Sequence, residues 1–176
     1  MKLDEFESRF NRAAKEVFEY KEVKYQRVLL ITDMEQGAAE TLNRKLQTAL
    51  VGIEDDAVWK LVFEGQFDQA KTLIEIIDEF KPDIIVTYRN LRHRNKQQDY
   101  TLGIYVDVLT QATLMPVLIL PYPDEESFDE LLSKLSNVLI ISDHVQGDFH
   151  LVDSALPFSG GEGDIRLAHI EDKMVY

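Results

Sequence analysis

The chain has 176 residues, of which 32 are acidic and 19 basic, for a net charge of −13. A surface this acidic excludes general binding to a nucleic-acid backbone, and the absence of cysteine excludes disulfides and thiol chemistry. No apolar run approaches the roughly 20 residues that span a bilayer, and the N-terminus lacks the apolar core of a signal peptide, so we expect a soluble cytoplasmic protein without membrane insertion.

Residues 1–26 begin with an amphipathic stretch. Apolar side chains recur there at helical spacing between charged ones, at Phe6, Phe10, Ala13, Val17 and Phe18. The pattern predicts a helix over residues 3–20, ahead of the first strand. In the simpler interpretation, the aromatic stripe of this helix packs on its own domain. In the alternative interpretation, the stripe binds a partner protein.

Residues 27–121 alternate short apolar runs with longer amphipathic ones. The short runs are rich in β-branched residues and predict strands over residues 28–32, 58–63, 83–87 and 116–120. The longer runs predict helices over residues 38–51, 66–80 and 101–114. Strands that alternate with helices of this length pair in parallel through right-handed connections. The predicted fold is therefore a doubly wound, Rossmann-like α/β sheet in three layers, with an extra N-terminal helix.

The remainder of the chain repeats the first strand after a linker and a short helix, predicted over residues 122–136. Residues 27–37 read R-V-L-L-I-T-D-M-E-Q-G, and residues 137–147 read N-V-L-I-I-S-D-H-V-Q-G. The matched aspartates, Asp33 and Asp143, and the two Gln-Gly pairs indicate a duplication. One β-α-β unit cannot bury its own sheet. Residues 137–176 are therefore interpreted as the start of an incomplete second domain, and packing of this unit on the first domain is the alternative.

Five segments carry a likeness to a known family. They are the strand that ends in Asp33, V-F-E-G-Q-F-D-Q-A around Gly65, P-D-I-I-V from Pro82, Gly103 set thirteen residues before Pro116 in P-V-L-I-L, and R-L-A-H-I-E-D from Arg166. Together they resemble the universal stress protein family. The resemblance covers residues 27–121 and again 137–172 and implies an α/β fold of the adenine-nucleotide hydrolase-like kind. The first domain has one strand–helix pair fewer than the family usually has.

The resemblance also implies a nucleotide site. In nucleotide-binding members an aspartate after the first strand contacts the adenosine moiety, and this sequence has Asp33 at that position and Asp143 in the second copy. ATP or AMP with Mg²⁺ is the cofactor that the resemblance implies.

The second part of that nucleotide site departs from the family pattern. Nucleotide-binding members carry a G-x-x-G-x9-G-[S/T] loop, whose glycines let backbone amides approach the phosphates. The two early glycines fall here on Thr87 and Asn90, or on Asn90 and His93, and Ile104 stands where a hydroxyl residue belongs. Only Gly103 matches. Side chains at these positions push a triphosphate away from the amides.

A basic cluster lies in the same loop of this acidic chain, formed by Arg89, Arg92, His93, Arg94 and Lys96. The loop follows a parallel strand at its carboxyl end, where such sheets place their ligands. Arginine forks hold phosphate or carboxylate without glycines. Two interpretations stay open: a solvated loop that balances the acidic surface, or a site for a small anion or for the acidic segment of a protein partner.

No residue is assigned a catalytic or metal-binding role. Ser142, Asp143 and His144 are adjacent, whereas catalytic triads are assembled from separated positions. The resemblance, with Asp33 kept and the loop glycines lost, implies a non-catalytic regulatory or adaptor protein of the stress response that acts through protein partners. It also implies a homodimer, because the family commonly dimerises through its last strand, which corresponds to residues 117–120 here. The alternative is an adenine-nucleotide-binding protein or slow ATPase that uses Asp33 and the loop over residues 89–96.

Overall fold

The structure is a computed structural model that describes residues 19–92, 102–123, 128–132, 137–142, 149–160 and 163–169. The predicted N-terminal helix up to residue 18 lies outside these residues. So do His93, Arg94, Lys96 and Asp143.

Four parallel strands form the main sheet. They are β1 (Arg27–Ile31), β2 (Val58–Val62), β3 (Ile84–Tyr88) and β4 (Val117–Leu120), in the order β2-β1-β3-β4. The two central strands, β1 and β3, are buried except for the first residue of β1. Strands covered on both faces are apolar throughout, which is why these two could be recognised in the sequence. The predicted parallel α/β sheet is confirmed.

Three helices connect these strands. α1 (Gln36–Ala49) joins β1 to β2, α2 (Ala70–Phe80) joins β2 to β3, and α3 (Ile104–Ala112) joins β3 to β4. From β1 the chain moves to one edge of the sheet and then returns past β1 toward the other edge. Right-handed connections therefore place α1 on one face and α2 and α3 on the opposite face, where these two pack together. The sheet thus has its topological switch point between β1 and β3.

The helix α2 is shorter than the sequence pattern predicts. It begins at Ala70 rather than residue 66, because Gly65 turns the chain with a φ of 84° and Phe67 buries its ring in the core before the helix starts. It ends at Phe80, and Lys81 caps it with a left-handed φ of 51°. Pro82 follows directly, and proline disfavours a right-handed helical residue before it.

The second part of the chain forms a smaller unit. A short helix, α4 (Phe128–Leu132), comes first and buries Phe128 and Leu132 in the main core. β5 (Val138–Ser142) and β6 (Ile165–His169) then pair in parallel as a separate two-stranded sheet. They are connected through α5 (Phe149–Ala155) and a 3₁₀ turn (Leu156–Ser159).

The smaller unit contacts the first domain around Tyr25. The ring of this residue, 1% exposed, stacks on Phe158 with the centroids 5.6 Å apart, and its hydroxyl donates to the Ser154 carbonyl oxygen at 2.8 Å. Gly52 permits the approach, because a Cβ added there would lie 2.7 Å from Phe158 Cδ1. Across the described ranges, no helix has the length and apolar character needed to cross a membrane.

Candidate functional site

A groove opens at the carboxyl edge of the main sheet, at the switch point between β1 and β3. Open α/β sheets place ligands at this position, because the loops that leave the two strands diverge there. The groove encloses about 930 Å³ and is lined by Asp33, Met34, Glu35, Ala38, Glu64, Arg92 and Tyr122. This volume lies in the range of roughly 300–1,000 Å³ that is typical of small-molecule sites.

Asp33 joins the ends of the two central strands. Its carboxylate accepts a hydrogen bond from the Tyr88 hydroxyl on Oδ1 and one from the Arg92 backbone N–H on Oδ2, the latter at 2.8 Å. Its own backbone N–H donates to the Tyr88 hydroxyl oxygen at 2.9 Å. We call this set of three hydrogen bonds the Asp33 latch. It holds the loop after β3 against the loop after β1.

The Tyr88 side chain is the buried partner in the latch. It is the last residue of β3, is fully buried, and packs edge-on against Tyr122 with the ring centroids 5.2 Å apart. Burial raises the pKa of Tyr88 far above its usual value, and the hydrogen bond that it donates to Asp33 raises it further. The hydroxyl therefore remains a protonated donor well above neutral pH, beyond the range in which an exposed tyrosine ionises.

The loop after β3 is tightly coiled. Asn90 and Arg92 have φ angles of 58° and 63°, a left-handed conformation that few residues other than glycine adopt. The Arg89 N–H donates to the Leu120 carbonyl and the Asn90 N–H to the Leu102 carbonyl, at 3.1 and 3.0 Å. Asn90 stands where the family resemblance places a loop glycine, and its backbone adopts a conformation that glycine favours.

Gly103 is required by packing against that loop. Its φ of 95° lies outside the range of ordinary side-chain-bearing residues, and an added Cβ would lie 3.3 Å from the Asn90 Cα. It immediately precedes α3, as the N-cap. The backbone conformation and the close packing against Asn90 therefore explain why position 103 is a glycine, without a bound phosphate.

Thr87 lies away from the groove. Its side chain is fully buried in β3, and its hydroxyl donates to the Ile31 carbonyl at 3.1 Å across the β1–β3 pair. Of the residues predicted for the site, the structure thus brings Asp33, Asn90, Arg92 and Gly103 together around one loop. Arg89 contributes its backbone to the anchoring of this loop on β4, and Asp143 lies outside the described residues.

The charge of the groove is mixed, with an acidic excess. Asp33, Glu35 and Glu64 supply three carboxylates, against the guanidinium of Arg92, which lies 5.0 Å from the centroid of the Phe67 ring. A phosphate placed there would approach Glu35 and Glu64 as well as Arg92, and these like charges oppose its binding. Within the described part of the chain, no group of three or more histidine, aspartate or glutamate side chains is arranged to hold a metal ion.

Sequence reasoning missed two kinds of residue in this site. The groove acids Glu35 and Glu64 follow β1 and β2 at the carboxyl edge, a position that could have marked them. Tyr88 directly follows the predicted third strand, but its contact with Asp33 depends on how β3 is registered against β1. No local pattern in the sequence encodes that register.

Compared with known proteins, the chain matches no family model, no curated protein and no solved structure. The likeness to universal stress proteins therefore rests on the residues of this chain.

Proposed function

We propose that this chain is a non-catalytic regulatory protein of the universal stress type, which acts through dimerisation and partner binding. The observation that carries the proposal is the Asp33 latch. Both carboxylate oxygens of Asp33 accept hydrogen bonds from the chain's own Tyr88 and Arg92. The aspartate that resembles a nucleotide ligand thus has a structural role here, as the tie between two loops.

The loss of the family's glycines fits the same proposal. Asn90 and Arg92 keep the loop left-handed, yet they carry side chains where a glycine loop has none. Glu35 and Glu64 add negative charge to the groove. These features leave a surface whose loop is already fixed by the latch, and a preformed surface lowers the entropy that binding a partner costs.

The proposed dimer contact is the outer edge of β4. This strand is the last in the sheet order and, among the described strands, pairs only with β3. The carbonyl oxygens of Pro116 and Leu120 accept hydrogen bonds from β3 or the residue just after it. Because successive residues of a strand direct their backbone groups to opposite sides, Val117 and Ile119 direct theirs outward. An edge of this kind is a template for pairing with another chain.

Replacing Ile119 with proline is expected to weaken the dimer at least tenfold. The substitution removes an outward N–H and leaves the bonds to β3 in place, and proline is tolerated on edge strands. Ile119→Val, which keeps the N–H, is the matched control and should dimerise like the original chain. Sedimentation equilibrium measures both against the 20.3 kDa mass of the monomer. A strictly monomeric original chain, or equal association of the two variants, would contradict the proposed dimer.

Nucleotide binding is the second candidate function, favoured by one observation. The groove has the position and volume of a nucleotide site, and its lining includes Arg92 together with Glu35 and Ala38 from the amino-terminal end of α1. The Arg92 guanidinium and the backbone N–H groups in the first turn of α1 would both attract an anion placed there.

Calorimetric titration of ATP and of AMP, each with Mg²⁺, separates the two functions. Under the leading proposal we expect no heat and no rise in melting temperature. A nucleotide present at a hundred times its Kd would stabilise the fold by about 2.7 kcal/mol, which a melting curve detects readily.

The control variant for this titration is Arg92→Ala, because it removes the guanidinium while the backbone N–H that completes the latch remains. Arg44→Ala, an exposed arginine on α1, is its matched comparison. Micromolar binding that is lost in Arg92→Ala and kept in Arg44→Ala would replace the adaptor proposal with the nucleotide function.

A further inference from the structure

The β5–β6 sheet leaves apolar side chains uncovered on the face that α5 occupies. Ile140 of β5 and Leu167 of β6 are paired in register, and paired residues of neighbouring strands point to the same face. Ile140 is 4% exposed, whereas Leu167 is 73% exposed. Ile165, two residues earlier on β6, is 43% exposed on the same face. We call the surface formed by Ile165 and Leu167 the β6 surface.

The helix α5 is too short to cover both strands of this face. It has seven residues, so its axis is about 10 Å long, and it packs on β5. Parallel strands are normally covered by helices on both faces, because their connections run over them. The β6 surface lacks such a cover within the described part of the chain.

The chain that precedes β1 runs directly against α5. The Lys21 N–H donates to Asp153 Oδ1 of α5 at 3.1 Å, and Asp153 is only 3% exposed. Four residues later, the Tyr25 hydroxyl donates to the Ser154 carbonyl at 2.8 Å. The segment over residues 3–18, which lies outside the described residues, is thus tethered to the unit that carries the β6 surface.

That segment has the composition of a covering helix. Five of its apolar residues recur every three or four positions and form one stripe on a helix: Leu3, Phe6, Phe10, Ala13 and Val17. Sixteen helical residues extend about 24 Å, and a five-residue strand extends about 17 Å. A helix of this length, tethered at Lys21, reaches across the two-stranded sheet. The segment carries three basic and four acidic side chains, so it adds a net charge of only −1 to the acidic body of the protein.

We propose that residues 3–18 dock intramolecularly on the β6 surface, beside α5, with the stripe of Phe6 and Phe10 against Leu167 and Ile165. The docked segment supplies the second helix over the β5–β6 sheet. It thereby buries the apolar side chains that α5 leaves exposed.

Site-directed cross-linking tests this placement cleanly, because the chain contains no cysteine of its own. The test pair is Phe10→Cys with Leu167→Cys, joined by a short bismaleimide. Ser8→Cys with Leu167→Cys is one control, since residue 8 lies on the opposite side of a helix from the stripe. Phe10→Cys with Ile141→Cys is the other, since Ile141 points to the opposite face of the sheet from Ile140.

The proposal expects the Phe10–Leu167 pair to cross-link at least five times faster than either control pair, within a product of monomeric mass. Equal rates in the three pairs would overturn it. So would products that join two chains, which would assign the β6 surface to a second copy, and so would preferential linkage to position 141.

Hydrogen exchange provides a second measurement that needs no cysteines. Phe10→Glu is expected to speed amide exchange in β6 about tenfold, because a carboxylate in the stripe opposes docking. Ser8→Glu adds the same charge on the opposite side of the helix and is expected to leave that rate unchanged. Equal exchange in the two variants would contradict docking through the stripe.

Discussion

Replacing Asp33 with alanine is expected to lower the free energy of unfolding by about 2–4 kcal/mol. The substitution removes an acceptor that two donors share, the Tyr88 hydroxyl and the Arg92 N–H. Hydrogen bonds to a charged group contribute about 1.5–3 kcal/mol each, and donors left unpaired add a desolvation cost. The left-handed residues of the loop also lose the contact that fixes them. Chemical denaturation monitored by circular dichroism measures the change.

The matched control is Asp56→Ala, the same substitution in an exposed turn. It is expected to change the stability by less than about 0.5 kcal/mol. Tyr88→Phe keeps the ring and removes only the hydroxyl, so the double variant with Asp33→Ala isolates their hydrogen bond. We expect a coupling of about 1–2 kcal/mol between the two substitutions. Strict additivity, or an Asp33→Ala effect no larger than that of Asp56→Ala, would show that the latch does not hold the loops.

Replacing Gly52 with alanine is expected to cost about 1–3 kcal/mol, because it overpacks the contact between the two units. The new Cβ would lie 2.7 Å from Phe158 Cδ1 and 2.9 Å from the backbone carbon of Pro157. The phenylalanine ring is held by its stack on Tyr25, and the proline carbon belongs to the main chain, so neither moves freely. Denaturation combined with hydrogen exchange should show the loss of protection concentrated in α5.

Gly37→Ala is the matched control for this substitution. Gly37 lies in the first turn of α1, and an added Cβ would have no neighbour within 4 Å. Alanine favours helix over glycine by up to about 1 kcal/mol, so this variant is expected to be neutral or stabilised. A Gly52→Ala variant as stable as Gly37→Ala would mean that the second unit does not pack on the first domain at this point.

Part of the candidate site could be predicted from the sequence alone. Asp33 was identified because it follows the first strand, where the family that the chain resembles has a nucleotide-binding aspartate, and Gly103 because it lies before the fourth strand at a spacing similar to the family's. Both positions depend on local patterns. The role of Asp33 could not be predicted, because its partner Tyr88 lies 55 residues away and the two meet only through the pairing of β1 with β3.

The packing of the second unit could likewise be predicted only in part from the sequence. Its first strand, β5, was recognised from its apolar run and from its likeness to β1. The contact of Tyr25 with Phe158, by contrast, joins residues more than 130 positions apart, and no periodicity in either segment encodes it.

The elements of this protein could be predicted from local sequence patterns: which runs are strands, which are helices, and that the strands of the main sheet pair in parallel. These follow from burial and backbone preference, which act over a few neighbouring residues. Three features became known from the folded chain alone: the strand order β2-β1-β3-β4, the hydrogen bonds of the Asp33 latch, and the packing of the smaller unit against Gly52. Each of these depends on contacts between distant segments, whose energies are realised only when the whole chain is packed.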